Sequence, residues 1–428
     1  DCLLSRGLGD VYKRQVIMCN RILIILAKKR RCYVNKKFLY ISASVLVATA
    51  AFLAVFLPIK FNKAKDNNKI TSGSLVNANG AKLSWDELLN EKSDTDSDKN
   101  KIVVEENVIT YVDSALDGEL TLPTSIVGIG ANAFKYSKLQ AVNFNEGLVT
   151  IGVDAFLESS LIKLSLPSTV TTIEKDAFWN CTSLTNITLN DGLQVIGYNA
   201  FYNCQFTSLI IPSSVTTIEE GAFINCNKII GTVTLPQNIT VIKNSTFKGC
   251  SSVKEFVLGN VENIEFQAFL ECTSLEKINL PSTLTSIQDD AFRDCTKLST
   301  LAFPIALQSI GSHTFDGCRS LETVTLNQNI AKLGVATFSN CISLNSINIP
   351  QSINSIPDSC FYGCSSLTSI DLSSVEIIGY NAFFGCKNVT FVLDDNENVH
   401  YVASKDKDFS SFCLLYTSPS PRDKRQSR

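Results

Sequence analysis

Residues 275–292 read LEKINLPSTLTSIQDDAF, and this stretch decides the fold. Ile278-Asn279-Leu280 alternates apolar and polar with period two, the pattern of a short strand. Pro281-Ser282 breaks that strand and starts a turn. Leu284 to Ile287 reads as a second short strand, and the residues through Ala291-Phe292 as a tight turn or a short helical piece. No amphipathic helix fits into so few residues.

The same unit recurs outward in both directions. Its closing phenylalanine returns at 134, 156, 178, 201, 223, 247, 269, 292, 315, 338, 361 and 383, at spacings of 22 to 24 residues. A period in this range predicts a solenoid. Other positions keep the same frame. Five residues before each Phe stands Ile, with Leu333 as the exception, and immediately before it a small residue. Three residues after it stands Cys in ten copies, Cys181 to Cys386, and Ser in the first two, Ser137 and Ser159. A stack of rungs requires such columns, because equivalent side chains lie on one another and each interior column keeps one size class.

Residues 367–386 read LTSIDLSSVEIIGYNAFFGC. This unit resembles the leucine-rich repeats of BspA-like surface proteins, whose copies run approximately LTSITIPSSVTSIGxxAFxGC. The resemblance covers the middle two-thirds of the chain. It implies a curved right-handed solenoid and, for some members, adhesion to host proteins, and it carries no shared catalytic residues. The expected fold class is therefore a β-rich leucine-rich-repeat solenoid of about twelve repeats over 127–393, preceded by one transmembrane helix.

The two ends read as foreign to the protein. Residues 5–15 are SRGLGDVYKRQ and residues 413–423 are CLLYTSPSPRD. One DNA word, translated in opposite orientations, accounts for both, and it looks like a sequencing-library adapter. The expectation is that 1–15 and 413–428 are adapter-derived, that the natural chain lies within 16–412, and that the C-terminal side is truncated. Removing the basic ends makes the balance somewhat more acidic than the net charge of −3 of the full chain, though still mild. That argues for neither nucleic acid nor a strongly charged partner.

Residues 38–59 form 22 residues without a charge, enough to cross a hydrocarbon core of about 30 Å. Seven Lys and Arg residues, Arg21 to Lys37, precede them, and a sparser basic run follows. That asymmetry puts 16–37 inside the cell as a basic stub and the repeats outside. The alternative is a cleaved signal peptide with Ala48-Thr49-Ala50 as the small-residue site, giving a secreted protein. Residues 60–101, rich in Asn, Lys, Asp and Ser, read as a flexible spacer in which Trp85 to Glu91 makes at most one or two helical turns. Residues 102–126 read as a degenerate first unit that caps the stack, and 394–412 as a C-terminal cap or the start of a truncated domain.

The in-register cysteines are the loudest candidate for chemistry. In an exported protein they would ordinarily signal disulfides. Each sits in a column where Ser substitutes, however, as a small buried group packing a turn would. Cross-links between rungs need Cβ atoms about 3.8 Å apart, closer than the roughly 4.8 Å strand spacing. Metal binding finds no paired Cys-x-x-Cys. Gly128-x-Gly130-x-x-Ala133 matches a dinucleotide fingerprint but lies within the repeat frame with no βαβ unit around it. His313 and His400 are the only histidines, and no catalytic, metal or cofactor set assembles from them.

A surface remains. If the Ile and Leu of each strand point inward, the residues between them line one face. In the first half these are Asn143, Lys163, Ser165, Asn186, Thr188, Thr232 and Thr234; in the second, Glu255, Lys277, Asn279, Thr323, Thr325, Asn348 and Asp371. Twelve strands at about 4.8 Å make a strip about 55 Å long. It is polar, nearly uncharged and without aromatic platforms, which suits a broad protein contact better than sugar stacking, although Ser, Thr and Asn also suit a merely solvated strand face. The expected function is a cell-surface protein binding extracellular or host proteins, membrane-anchored at its N-terminal segment. Its alternatives are an envelope scaffold and an enzyme whose catalytic domain is missing.

Overall fold

The computed structural model describes residues 73–89 and 102–392, together with the backbone of a two-residue strand, His400–Tyr401. Its repeats build a β-solenoid of about thirteen turns. Each rung contributes two short strands, one to each of two parallel ladders. The I-x-L segments form one, as Asn186↔Lys163 and Thr188↔Ser165 show, and the Thr-Ile or Ser-Ile segments form the other, as Ile173↔Ile196 shows. Between the two, a reverse turn closes on the proline carbonyl. Leu284 N–H donates to Pro281 C=O at 3.0 Å, and the turns begun by Pro167, Pro212 and Pro350 close in the same way. Where Asn replaces this proline, its amide reaches back one rung. Asn145 Nδ2 donates to the carbonyls of Pro123 and Ile126, and Asn327 Nδ2 to those of Pro304 and Leu307.

The core is one apolar column system running the length of the stack. The twelve column phenylalanines lie face to face with the next, at centroid separations of 4.6 to 5.8 Å and interplanar angles of 16° or less. Such offset stacking adds to the apolar burial. The rung spacing sets the ring spacing, which is why no other residue holds that column.

The turn around each Phe is not helical. The residues two before and two after it have positive φ in every rung, as at Asp290 (55°) and Asp294 (58°), or Ser359 (54°) and Gly363 (73°). Most of these positions carry Asn, Asp or Gly, the residues that tolerate left-handed backbone. Two left-handed residues bracketing Phe turn the chain sharply twice and drive the ring into the core.

The spacer expected over 60–101 is corrected in part. Strand β1 (Ser74–Val76) pairs antiparallel with β2 (Lys82–Ser84) on one side. On the other side it pairs with β5 (Asp117–Thr121). Helix α1 (Trp85–Leu89) follows, opened by a capping box in which Ser84 N–H donates to Glu87 Oε2 and Glu87 N–H to Ser84 Oγ. Trp85 and Leu88 are buried. Their burial is what the polar composition of the spacer concealed. The second ladder is closed similarly by the antiparallel pair β3 (Ile102–Glu105) and β4 (Val108–Val112), turned at Glu106-Asn107 with both φ positive. Both ladders therefore start from an antiparallel hairpin, which covers the open edge of the stack.

Among the described residues no helix is long and apolar enough to cross a membrane. The expected span 38–59, the basic stub 16–37, the adapter-like ends 1–15 and 413–428, and the expected C-terminal cap 394–412, apart from the backbone of His400–Tyr401, all lie outside the described residues.

Candidate binding face

The first ladder presents the face. Along each I-x-L strand the Ile and Leu positions turn inward, and the residues before the Ile and between the two turn outward, because successive side chains alternate. Leu164, Val233, Ile278, Val324 and Ile370 are buried. Asn143, Lys163, Ser165, Asn186, Thr188, Thr232, Thr234, Lys277, Asn279, Thr323, Thr325, Asn348 and Asp371 are exposed, and Glu255 is half-buried. The register brings them into columns. Thr232, Glu255 and Lys277 align in one, with Thr232 Oγ1 donating to Glu255 Oε2 at 3.1 Å. Thr300, Thr323 and Ser346 align in the same column further along.

Not all of these side chains are free to meet a partner. Asn143 Nδ2 donates to Glu119 Oε1 at 2.6 Å and to Thr121 Oγ1 at 3.2 Å. Asn348 is bound twice to one backbone residue, accepting from Leu326 N–H at 2.8 Å and donating to its carbonyl at 2.9 Å. That amide completes the parallel ladder at its rim and holds the rung. Asp371 Oδ1 accepts from Ser373 N–H at 2.9 Å, and the Ser373 hydroxyl and amide hold its carboxyl below the ordinary range. Asn279, Thr325 and Lys277 keep their polar atoms for solvent or a ligand.

The sequence reading missed the aliphatic part of this face. Ile210 is 82% exposed and Ile230 65%, near the middle of the strip, with Val257 beside them. Ile210 takes the column place of Thr188 and Thr234. It was displaced from the frame because Cys204-x-Phe206 is one residue shorter than Cys181-x-x-Leu184, a signal legible in the spacing. Aromatic pairs also exist, on the turn edge rather than the face. Trp179 stacks on Tyr202 at 5.3 Å and Tyr362 on Phe384 at 5.2 Å. The residue after each column Phe is where they would be looked for.

The cysteine column is an element of the framework. Each of the ten thiols, from Cys181 to Cys386, donates to the carbonyl of the column Phe one rung earlier, at 3.0 to 3.3 Å. The described cysteines are free, and burial pushes the column thiols after Cys181 up, to about 12 for Cys250 and Cys386. Such thiols are poor nucleophiles at neutral pH. No group of His, Cys, Asp and Glu among the described residues could hold a metal ion. His313 Nδ1 lies 3.4 Å from Asp316 Oδ2 on the turn edge, where Arg293 also reaches Asp290 and Asp316. Gly128 and Gly130 of the dinucleotide-like stretch belong to a rung, not to a phosphate loop, and Ala133 is buried beside Phe134.

Comparison with known proteins agrees with this architecture. A family model described as "BspA type Leucine rich repeat region (6 copies)" matches residues 114–230, 180–299, 227–334 and 285–405. A leucine-rich repeat protein from Bacteroides ovatus ATCC 8483 is 28% identical, with a TM-score of 0.61 over 69% of this chain and 82% of that one. A leucine rich cell surface protein from Faecalibacterium prausnitzii A2-165 is 24% identical, with a TM-score of 0.40 over 73% of this chain and 96% of that one. The pneumococcal vaccine antigen PcpA is 20% identical, with a TM-score of 0.41 over 69% and 98%. No curated protein matches the chain.

Proposed function

This chain belongs to the BspA-type leucine-rich repeat family, and from that premise we propose that it is a cell-surface binding protein whose strand face docks a protein, in adhesion to host or neighbouring-cell proteins. The observation that carries the reading is the face itself. Short polar side chains from successive rungs stand exposed in register on a rigid sheet, nearly free of net charge, around an aliphatic centre at Ile210 and Ile230. A broad, mostly neutral surface with a few large apolar groups matches the composition of protein interfaces. The order of parts supports the location: a basic segment, 22 uncharged residues at 38–59, a polar linker, then the repeats. Anchoring through 38–59 is part of the proposal.

The test is binding of the purified protein to a panel of immobilised extracellular-matrix proteins, alongside Asn279→Arg and Thr325→Arg. Both substitutions add charge to exposed strand positions without touching the core. Saturable binding that either variant abolishes, at an unchanged unfolding midpoint, supports docking on this face. Absence of binding by the folded protein, with concentration-dependent self-association, overturns it in favour of an envelope scaffold. Loss of the repeats on mild proteolysis of intact cells tests the location separately.

A further inference from the structure

The two ladders are interrupted in different places along the stack, and at one interface they are interrupted together. Between the rung that closes at Phe223 and the rung that closes at Phe247 neither ladder is paired. One parallel sheet ends at Thr217–Ile218 and the next begins at Val241–Ile242. On the other face the sheet ends at Asn186–Thr188 and resumes at Gly231–Thr234. Every other neighbouring pair of rungs from 128 to 378 keeps at least one ladder.

The missing bonds can be named from their equivalents. One rung on, Glu262 and Asn263 donate their N–H groups to Thr240 C=O, and Glu265 to Ile242 C=O. One rung back, Thr216 and Thr217 donate to Gln194 C=O and Glu219 to Ile196 C=O. The corresponding amides at the interface, those of Thr240, Val241 and Lys243, make no such bond to the rung before them. On the face side, a chain one residue short after Cys204 meets one with an extra residue between Ile229 and Val233, where Gly231 has φ 80°. A mismatch in residue number between neighbouring rungs takes their donors and acceptors out of register.

The turn edge, by contrast, is continuous. Gly221, Phe223 and Asn225 N–H groups donate to Asn244, Thr246 and Lys248 carbonyls at 2.7 to 3.0 Å. Phe223 stacks on Phe247 at 5.5 Å and Cys250 Sγ donates to Phe223 C=O. Across the open side the rungs are held mainly by side chains. Lys243 Nζ lies 2.7 Å from Glu219 Oε2, Asn244 Nδ2 donates to Glu220 Oε1 and Asn238 Nδ2 to Ser213 C=O. A single backbone bond, from Ile230 N–H to Thr207 C=O at 3.0 Å, remains on the face.

We propose that this interface is a hinge: two hydrogen-bonded stacks share one continuous turn edge and open on the sheet side, with the Lys243–Glu219 pair as the latch. In a linear stack each rung is held only by its neighbours, so the interface with the fewest bonds is where the stack opens. Opening there changes the curvature of the strand face at Ile210 and Ile230, the two most exposed aliphatic side chains of the described residues.

The experiment is residue-resolved hydrogen exchange on the full chain, with Lys243→Ala and, as an ion-pair control, Lys254→Ala. Lys254 pairs with Glu276 at 3.4 Å across an interface where both ladders are intact. The reporter is the amide of Ile230, bonded across the hinge, against that of Glu276, bonded at 2.9 Å to Lys254 C=O in the same column. Ile230 is expected to exchange at least about tenfold faster than Glu276. Lys243→Ala is expected to speed Ile230 further while leaving Glu276 and Asn263 unchanged. Should Lys243→Ala loosen the whole chain, Glu219→Gln, which removes the charge at equal size, gives the same readout. Equal protection of Ile230 and Glu276 overturns the hinge, and so does Lys254→Ala speeding Ile230 as much as the latch variants do.

Discussion

The thiol of Cys295 donates to the carbonyl of Phe269, one rung back, at 3.3 Å. The same carbonyl accepts from Cys272 N–H at 3.1 Å. The column carbonyls from Phe156 to Phe361 thus tie their own turns to the next rung, and the cysteine column is a hydrogen-bond ladder laid beside the phenylalanine stack. Ser159, in the same column, lies 3.4 Å from Cys181 Sγ, so a hydroxyl is admitted there.

Loss of the donor should cost stability apart from size. Cys295→Ser should cost less stability than Cys295→Ala, which is close to Ser in size but has no donor, by about 1 kcal/mol. Urea midpoints at a common m-value measure the difference. An Ala variant as stable as the Ser variant would show that apolar packing alone decides the column.

The buried thiols also set a pH dependence. Burial raises Cys250 and Cys386 from 9.0 to about 12 in the folded chain. Above pH 9 the unfolded chain releases thiol protons that the folded chain retains, so protons are bound in excess by the folded state and stability falls as pH rises. Stability is expected to be insensitive to these groups below about pH 8, to fall between about 9 and 12, and to fall less steeply in Cys250→Ser. A flat profile across that window contradicts the burial. Below pH 8 the column should resist alkylation until the chain is unfolded.

Ala336 carries φ 53° where neighbouring rungs place Asp, His or Ser. Ala336 is buried, but it is one methyl, and relief of the left-handed backbone should outweigh its loss, so Ala336→Gly should stabilise the chain by up to about 1 kcal/mol. Ala291→Gly, one place before Phe292 and outside the left-handed positions, should destabilise. Thermal midpoints of the two variants should move in opposite directions.

Phe292 is fully buried between Phe269 and Phe315, at 5.1 and 5.4 Å. Rings on both sides cannot collapse into the space without leaving their own rungs. Phe292→Ala should cost roughly 3–5 kcal/mol, read from the urea midpoint. A cost under about 1 kcal/mol would contradict the stacked column.

Much of this was legible because a solenoid repeats its own instructions. The column Phe, the preceding Ile and the small residue before it each recur at one spacing, and a one-dimensional stack turns recurrence directly into contact. The outward strand positions followed from the same frame, and Lys277, Asn279 and Thr325 stand exposed where alternation puts them. Less legible was what depended on a single place in the chain. Ile210 fell out of the repeat frame, though not off the face, when one residue dropped out after Cys204, and Trp85 to Glu91 read as no more than a turn or two within a polar linker.

The sequence by itself determined the rung: its period, its inward columns and its two short strands, since each of these is a local pattern copied many times. Only the tertiary structure decided what joins one rung to the next. The thiol-to-carbonyl ladder, the Asn348 clasp on Leu326, the hairpin caps and the interface where both ladders lapse all depend on residues about 22 or more positions apart meeting at hydrogen-bond distance. Periodicity says that such residues are neighbours. Whether their donors and acceptors meet is set by register, which one added or missing residue shifts.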